Sequence, residues 1–154
     1  MRRSFAISLS LLAFGFFLRM LGQFLVAFFN VEFLPPMAAW YSRLVPYPLL
    51  LPVQVLILIV QAKVSRDIWR GSGFFAAARP RGGTILGWLS LVYFLGMVLR
   101  YVLSMTLHPE RRWLGGTIPI FFHIILAGYV FVLGWYWVCA NRNGSATEQA
   151  AEGK

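Results

Sequence analysis

Each of the four long apolar segments of this chain contains a charged or strongly polar side chain; Arg19, Gln54, Arg100 and His123 are one from each segment. An arginine at the centre of a membrane-spanning helix costs about 2.5–3.5 kcal/mol on insertion scales, so its position needs a physical reason. A guanidinium donates a bidentate fork that suits phosphate or carboxylate. Glutamine and histidine side chains both donate and accept hydrogen bonds. Together, these residue types favour a site for an anionic or hydrogen-bond-accepting group.

The distance of each residue from the end of its segment predicts that the four share one depth. Arg19 and Arg100 each lie about 15 residues from the inner end, which is about 22 Å into an apolar core of about 30 Å. Gln54 and His123 lie about 10 Å and about 9 Å from the outer end. The four therefore define a predicted polar layer in the outer third of the bundle. Helical periodicity adds three lining residues on the same faces: Gln23, Tyr93 and Ser104.

The positive charge of this polar layer is not balanced within the predicted spans, because they contain no Asp or Glu. Glu32 and Glu110 in the outer loops are the nearest carboxylates along the chain. Otherwise the partner is external: a phospholipid headgroup, a carbonyl-bearing amphiphile such as a quinone, or an acidic residue of another subunit. We therefore expect no resident cofactor, and a bound lipid or quinone-like amphiphile as the ligand of the layer.

A purely structural interpretation of the polar layer stays open beside this one. Arginine side chains in the outer third of a helix reach the headgroups with their charged ends. Gln54 and His123 also suit interhelical hydrogen bonds, worth about 0.6 kcal/mol each. The convergence of four helices on one depth is what favours a binding site.

His108, Glu110 and His123 define a weaker alternative, a metal site or an acid–base centre near the outer surface. His108 and His123 are the only histidines in the chain. A tight turn lies between them, and their spacing is not one that is diagnostic of a metal site. We expect no metal. The sequence has no Ser/His/Asp set, no phosphate-binding loop and no nucleotide motif, so enzymatic activity is uncertain and a non-enzymatic role is favoured.

The elements that position these residues are predicted from composition. Of the 154 residues, 59% are hydrophobic and 12% charged, about half the charged share of soluble domains. A soluble domain of this size would expose much of that apolar surface and aggregate. We predict an all-α integral membrane four-helix bundle of up-down-up-down topology, a single domain over 1–140. Its spans lie at about 5–29, 47–62, 84–107 and 117–140.

Two flanking segments complete the predicted architecture. Pro35 and Pro36 end any continuing helix, and Trp40 and Tyr41 suit the headgroup region, so we expect a short interfacial helix in the first outer loop. Residues 141–154 are polar and small and lack apolar anchors. They are expected to form a disordered cytoplasmic tail.

The distribution of basic residues predicts the orientation. Nine lysine and arginine residues lie on the side of the chain termini, and three lie in the 30–46 and 108–116 loops. The positive-inside rule then places both termini in the cytoplasm, and we expect a bacterial inner membrane. The net charge of +9 does not indicate nucleic acid, because the basic residues cluster between apolar blocks and form no continuous groove.

Three functional classes are compatible with these features. The favoured one is a binding or accessory subunit whose partners are membrane lipids and, in the accessory case, a larger membrane complex or further copies of the chain. The alternative is a small membrane enzyme that acts on an amphiphilic substrate with His123 and Arg100 in its site. The third is an oligomeric small transporter, which is disfavoured because coupled transport usually needs a membrane carboxylate.

Overall fold

A computed structural model of the chain describes residues 1–29, 31–36, 40, 47–107 and 117–152, with the side chains of the last range described at 118 and 120–141. Within these ranges there are four helices and no strand. They are α1 (Arg2–Phe29), α2 (Tyr47–Arg70), α3 (Pro80–Leu107) and α4 (Thr117–Glu152).

All four helices are long and apolar enough to cross a membrane. Their length and composition indicate an integral membrane protein, and the predicted all-α class is confirmed. The up-down-up-down topology stays a prediction. The interfacial helix also stays a prediction, because most of the residues between Pro36 and Tyr47 lie outside the described ranges.

The helices continue beyond the predicted spans where local interactions support them. α2 runs past residue 62 to Arg70, and Lys63 and Asp67 form an ion pair of 3.4 Å one turn apart in this extension. α3 begins at Pro80, where the missing N–H of proline costs nothing. α4 continues to Glu152, whereas the sequence predicts a disordered tail from residue 141. Alanine, glutamate and glutamine in this segment are good helix formers, which explains the continuation.

The packing places α1 between α2 and α4. A buried apolar cluster joins these three helices, and its members include Leu9, Ile68 and Leu133. It lies toward the end of the bundle that carries the start of α1 and the loop between α2 and α3, which we name the inner end after the predicted orientation. α3 packs against α4 alone within the described part of the chain. The two helices approach closely at Gly83, where an added Cβ would lie 2.6 Å from the carbonyl oxygen of Gly134. This order of helices decides which polar residues of the predicted layer meet.

The loop between α2 and α3 is held against α4 by hydrogen bonds. The Trp137 indole donates to the carbonyl oxygen of Phe75 at 2.8 Å, and the Tyr136 hydroxyl donates to that of Ala76 at 3.0 Å. The buried Asp67 carboxylate accepts from the backbone N–H of Phe75 at 3.3 Å. Gly73, at a φ of 106°, packs directly against this carboxylate, where a side chain would be strained and would clash. The inner end of the bundle is thus tied together by satisfied polar groups.

Candidate functional site

Three residues of the predicted polar layer form one hydrogen-bonded group between α1 and α2. The Arg19 guanidinium donates to the Gln23 Oε1 one helical turn away on the same face. Gln54 of α2 donates its Nε2 to the same oxygen at 3.2 Å. Gln23 is fully buried and Gln54 is 2% exposed. We name Arg19, Gln23 and Gln54 the outer cluster.

Trp40 closes the outer cluster on one side. Its carbonyl oxygen accepts a hydrogen bond of 2.8 Å from Arg19, and its indole N–H donates to the carbonyl oxygen of Pro35 at 2.8 Å. The indole ring packs so closely on α1 that a Cβ at Gly22 would lie 2.7 Å from it. Trp40 is predicted from the sequence only as an interfacial residue, and its contact with Arg19 was not predicted. The only indication of this contact in the sequence was the preference of tryptophan for the depth of the lipid headgroups, which adjoins the depth predicted for Arg19.

An aromatic ring of α4 covers the Arg19 guanidinium. The Phe122 ring centroid lies 4.6 Å from its central carbon, within the range of a cation–π contact. Phe122 is buried and also packs against Phe16, with ring centroids 4.5 Å apart. These contacts reduce the access of water to the charge, which strengthens any electrostatic interaction made there.

Several buried polar atoms at the outer cluster have no hydrogen-bond partner within the described ranges. They are Arg19 Nε, Gln23 Nε2, Gln54 Oε1 and the hydroxyl of Tyr47, whose ring lies within electrostatic range of Arg19. A buried donor or acceptor without a partner costs about 1–3 kcal/mol. Three of these four atoms can donate a hydrogen bond, so the cluster has surplus donors.

The charge of Arg19 is likewise uncompensated by the described residues. The ion pair present among them is that of Lys63 and Asp67, at the inner end. Glu32, which the sequence offers as a counter-charge, is exposed, and Glu110 lies outside the described ranges. A buried cation without a carboxylate is unusual in a membrane span, where such groups normally pair with each other.

A second polar pair lies between α3 and α4. The Tyr93 hydroxyl and His123 Nδ1 share a hydrogen bond, and their rings meet edge to face with centroids 5.8 Å apart. His123 also contacts the Phe122 ring edge to face, with centroids 5.2 Å apart. Since Phe122 covers Arg19, this one ring links the pair to the outer cluster.

The remaining predicted residues are not part of these hydrogen-bonded groups. Arg100 is exposed and lies within electrostatic range of Tyr93 and His123, and Ser104 is half-buried. The metal alternative falls outside the described ranges at His108 and Glu110. Among the residues that the structure does describe, no group of three His, Cys, Asp or Glu side chains is placed to hold a metal ion.

A further buried polar group on α2 was missed by the sequence analysis. The Tyr129 hydroxyl of α4 donates to the backbone carbonyl of Gln61 at 2.8 Å and lies 3.4 Å from the Ser65 hydroxyl. Both polar atoms of the Gln61 side-chain amide are buried without a partner in the described structure. Gln61 follows Gln54 by two helical turns, which was a readable signal. Gln61 lies at the inner end of the predicted span, away from the depth of the polar layer, and was therefore not predicted as a site residue.

Comparisons with known proteins add no constraint to this geometry: no family model, no curated protein and no solved structure matches the chain.

Proposed function

We propose that this chain is a non-enzymatic membrane binding protein whose outer cluster holds the anionic headgroup of a lipid-like amphiphile. The observation that carries the proposal is the half-buried Arg19 guanidinium, which lacks a carboxylate among the described residues and stands beside buried donors without acceptors. An anionic oxygen would supply what these atoms lack.

The chemistry of the donors favours a phosphate or carboxylate over a neutral group. Arg19 contributes the charge and an N–H at Nε, and Gln23 contributes an amide N–H. Hydrogen bonds in which one partner is charged contribute about 1.5–3 kcal/mol, roughly twice as much as neutral ones. Burial beneath Phe122 and Trp40 increases this preference, because the local dielectric constant is low.

The same anionic chemistry has a second source, the carboxylate of a partner protein. In that case the chain is an accessory subunit of a larger membrane complex. Both ligands would be bound by the charge of Arg19, so substitutions at Arg19 test the chemistry that they share. Identification of the bound molecule distinguishes the lipid from the partner protein.

The direct test is purification in a mild detergent followed by mass spectrometry of the intact protein and its bound molecules. We expect an anionic amphiphile bound at the outer cluster of the wild type, so that Arg19→Leu binds one anionic amphiphile fewer per chain. Arg81→Leu is the matched control, since Arg81 is exposed at the other end of the bundle. A stoichiometric protein partner in place of an amphiphile would identify the accessory role. Equal retention of any ligand in Arg19→Leu would refute the proposal.

A second candidate function rests on the hydrogen bond between Tyr93 and His123. A phenol paired with an imidazole can exchange a proton with a substrate, and Arg100 nearby can hold its anionic group. This arrangement supports a membrane enzyme acting on an amphiphile. Incubation with a membrane lipid extract would then produce a modified lipid, and Tyr93→Phe and His123→Gln would both abolish it. An unchanged lipid profile with the wild-type protein would exclude this candidate for the lipids in the extract.

A further inference from the structure

We propose that a groove between α1 and α2 binds an anionic glycerophospholipid, at a site separate from the outer cluster. The groove is open to the surroundings of the bundle, has a volume of about 430 Å³, and lies along the middle of α1 and the C-terminal half of α2. Ligand pockets commonly fall in the range of about 300–1,000 Å³. Its position on the surface of a membrane-spanning bundle makes a lipid the molecule most available to fill it.

The walls of the groove suit an acyl chain. Phe14 and Phe17 of α1 and Leu58 of α2 form its apolar sides. Phe17 is seven residues from Ser10, so the groove extends about 10 Å along α1 at 1.5 Å per residue. An alkyl chain lying there gains dispersion contacts with closely spaced rings without desolvating a polar group.

The inner end of the groove suits a phosphate. Arg66 lines it and is exposed, and no described carboxylate lies within salt-bridge distance of its guanidinium. The nearby Asp67 carboxylate is already occupied by Lys63. An arginine in this position can donate two parallel hydrogen bonds to phosphate. Basic pockets between membrane helices bind anionic headgroups in this way.

Trp69 indicates the depth at which the lipid headgroup lies. It lines the groove one turn beyond Arg66 and is exposed. Tryptophan concentrates at the level of lipid headgroups, so Arg66 and the phosphate of a lipid in the adjoining leaflet share one depth. The Arg66 guanidinium therefore lies at the depth of the lipid phosphate, and the apolar walls of the groove lie at the depth of the acyl chains.

This site is independent of the proposed function. Both sites lie between α1 and α2, but none of the outer-cluster residues lines the groove. Gln54 and Arg66 are 12 residues apart on α2, about 18 Å along the helix, so the two sites lie at different depths. A ligand bound at one site does not require a ligand at the other, and substitutions can address each alone.

The test uses the full chain in detergent with defined lipids and measures bound lipid by native mass spectrometry. We expect retention of phosphatidylglycerol to exceed that of phosphatidylcholine, and Arg66→Gln to weaken phosphatidylglycerol binding about tenfold. Ala62→Phe, which fills the groove without changing charge, should weaken the binding of that lipid equally. Arg81→Gln removes an exposed arginine outside the groove and should leave binding unchanged.

Circular dichroism of each variant confirms that the helices are intact before binding is compared. The proposal is overturned by equal retention of the two lipids in the wild type, or by an effect of Arg81→Gln as large as that of Arg66→Gln. Unchanged binding in Ala62→Phe would also overturn it, because the lipid would then lie outside the groove. A loss of phosphatidylglycerol in Arg19→Leu alone would assign that lipid to the outer cluster instead.

Discussion

The two ends of the bundle treat buried polar groups differently. At the inner end, Asp67, Tyr136 and Trp137 all use their polar atoms in bonds to the loop between α2 and α3. At the outer cluster, Gln23 and Gln54 are at least as deeply buried and Arg19 is half-buried, yet several of their atoms lack partners among the described residues. Satisfied polar groups stabilise a fold, whereas unsatisfied ones reduce its stability until a partner arrives. We infer that the inner end is structural and the outer cluster is a binding site.

The largest effect is expected at the inner end, from Trp137→Ala. This change removes a buried indole and its hydrogen bond to Phe75, and should lower the free energy of unfolding by about 3–5 kcal/mol. Titration with a denaturing detergent, followed by circular dichroism, measures it. The matched control is Trp135→Ala on the same helix, where the ring is exposed and the change should stay within about 0.5 kcal/mol. Similar losses in the two variants would contradict a structural role specific to the inner end.

A smaller effect is expected from Asp67→Ala. The substitution leaves the Phe75 N–H without its acceptor, so we expect a loss of about 1–3 kcal/mol and faster proteolysis of the loop between α2 and α3. Lys63→Gln removes only the exposed partner of the ion pair and should cost less than about 1 kcal/mol. If Lys63→Gln were as damaging as Asp67→Ala, the ion pair and not the loop contact would hold this end.

The smallest effect on stability is expected from Gln61→Leu, which replaces a buried polar side chain that has no hydrogen-bond partner among the described residues. The Gln61 side chain is 2% exposed and both of its polar atoms lack partners, while Tyr129 bonds only to the backbone at this position. Replacing the amide with an apolar group should therefore leave stability unchanged or raise it by up to about 1 kcal/mol. A clear loss of stability would mean that Gln61 belongs with the satisfied groups of the inner end.

Much of this architecture could be predicted from the sequence because hydropathy decides where a chain crosses a membrane. Helical spacing also predicted Gln23 on the face of Arg19, and counting depth predicted that Gln54 would reach them. Depth alone does not say which helices are neighbours. Because α3 packs only against α4 in the described part of the chain, Arg100 stays apart from the arginine on α1.

Trp40 and Asp67 show a second limit of the sequence analysis. The approach of Trp40 to Arg19 depends on the path of an irregular segment, for which helical periodicity offers no rule. Asp67 lies in the amphipathic continuation of α2 beyond the apolar span, where the spacing of residues predicts a helix but not the contact of this carboxylate with the following loop. Both residues are placed by tertiary contacts, which no local pattern in the sequence encodes.

The central claim, that Arg19 binds an anionic group from outside the chain, is tested most directly by the stability of the protein with and without its bound lipids. A ligand at about 100 times its Kd adds about 2.7 kcal/mol to the free energy of unfolding. Stripping lipids with excess detergent should therefore destabilise the wild type by about that amount, and adding the anionic fraction back should restore it. In Arg19→Leu the part that the outer cluster contributes should be absent, so both changes should be clearly smaller than in the wild type. Equal destabilisation and recovery in both proteins would contradict the account.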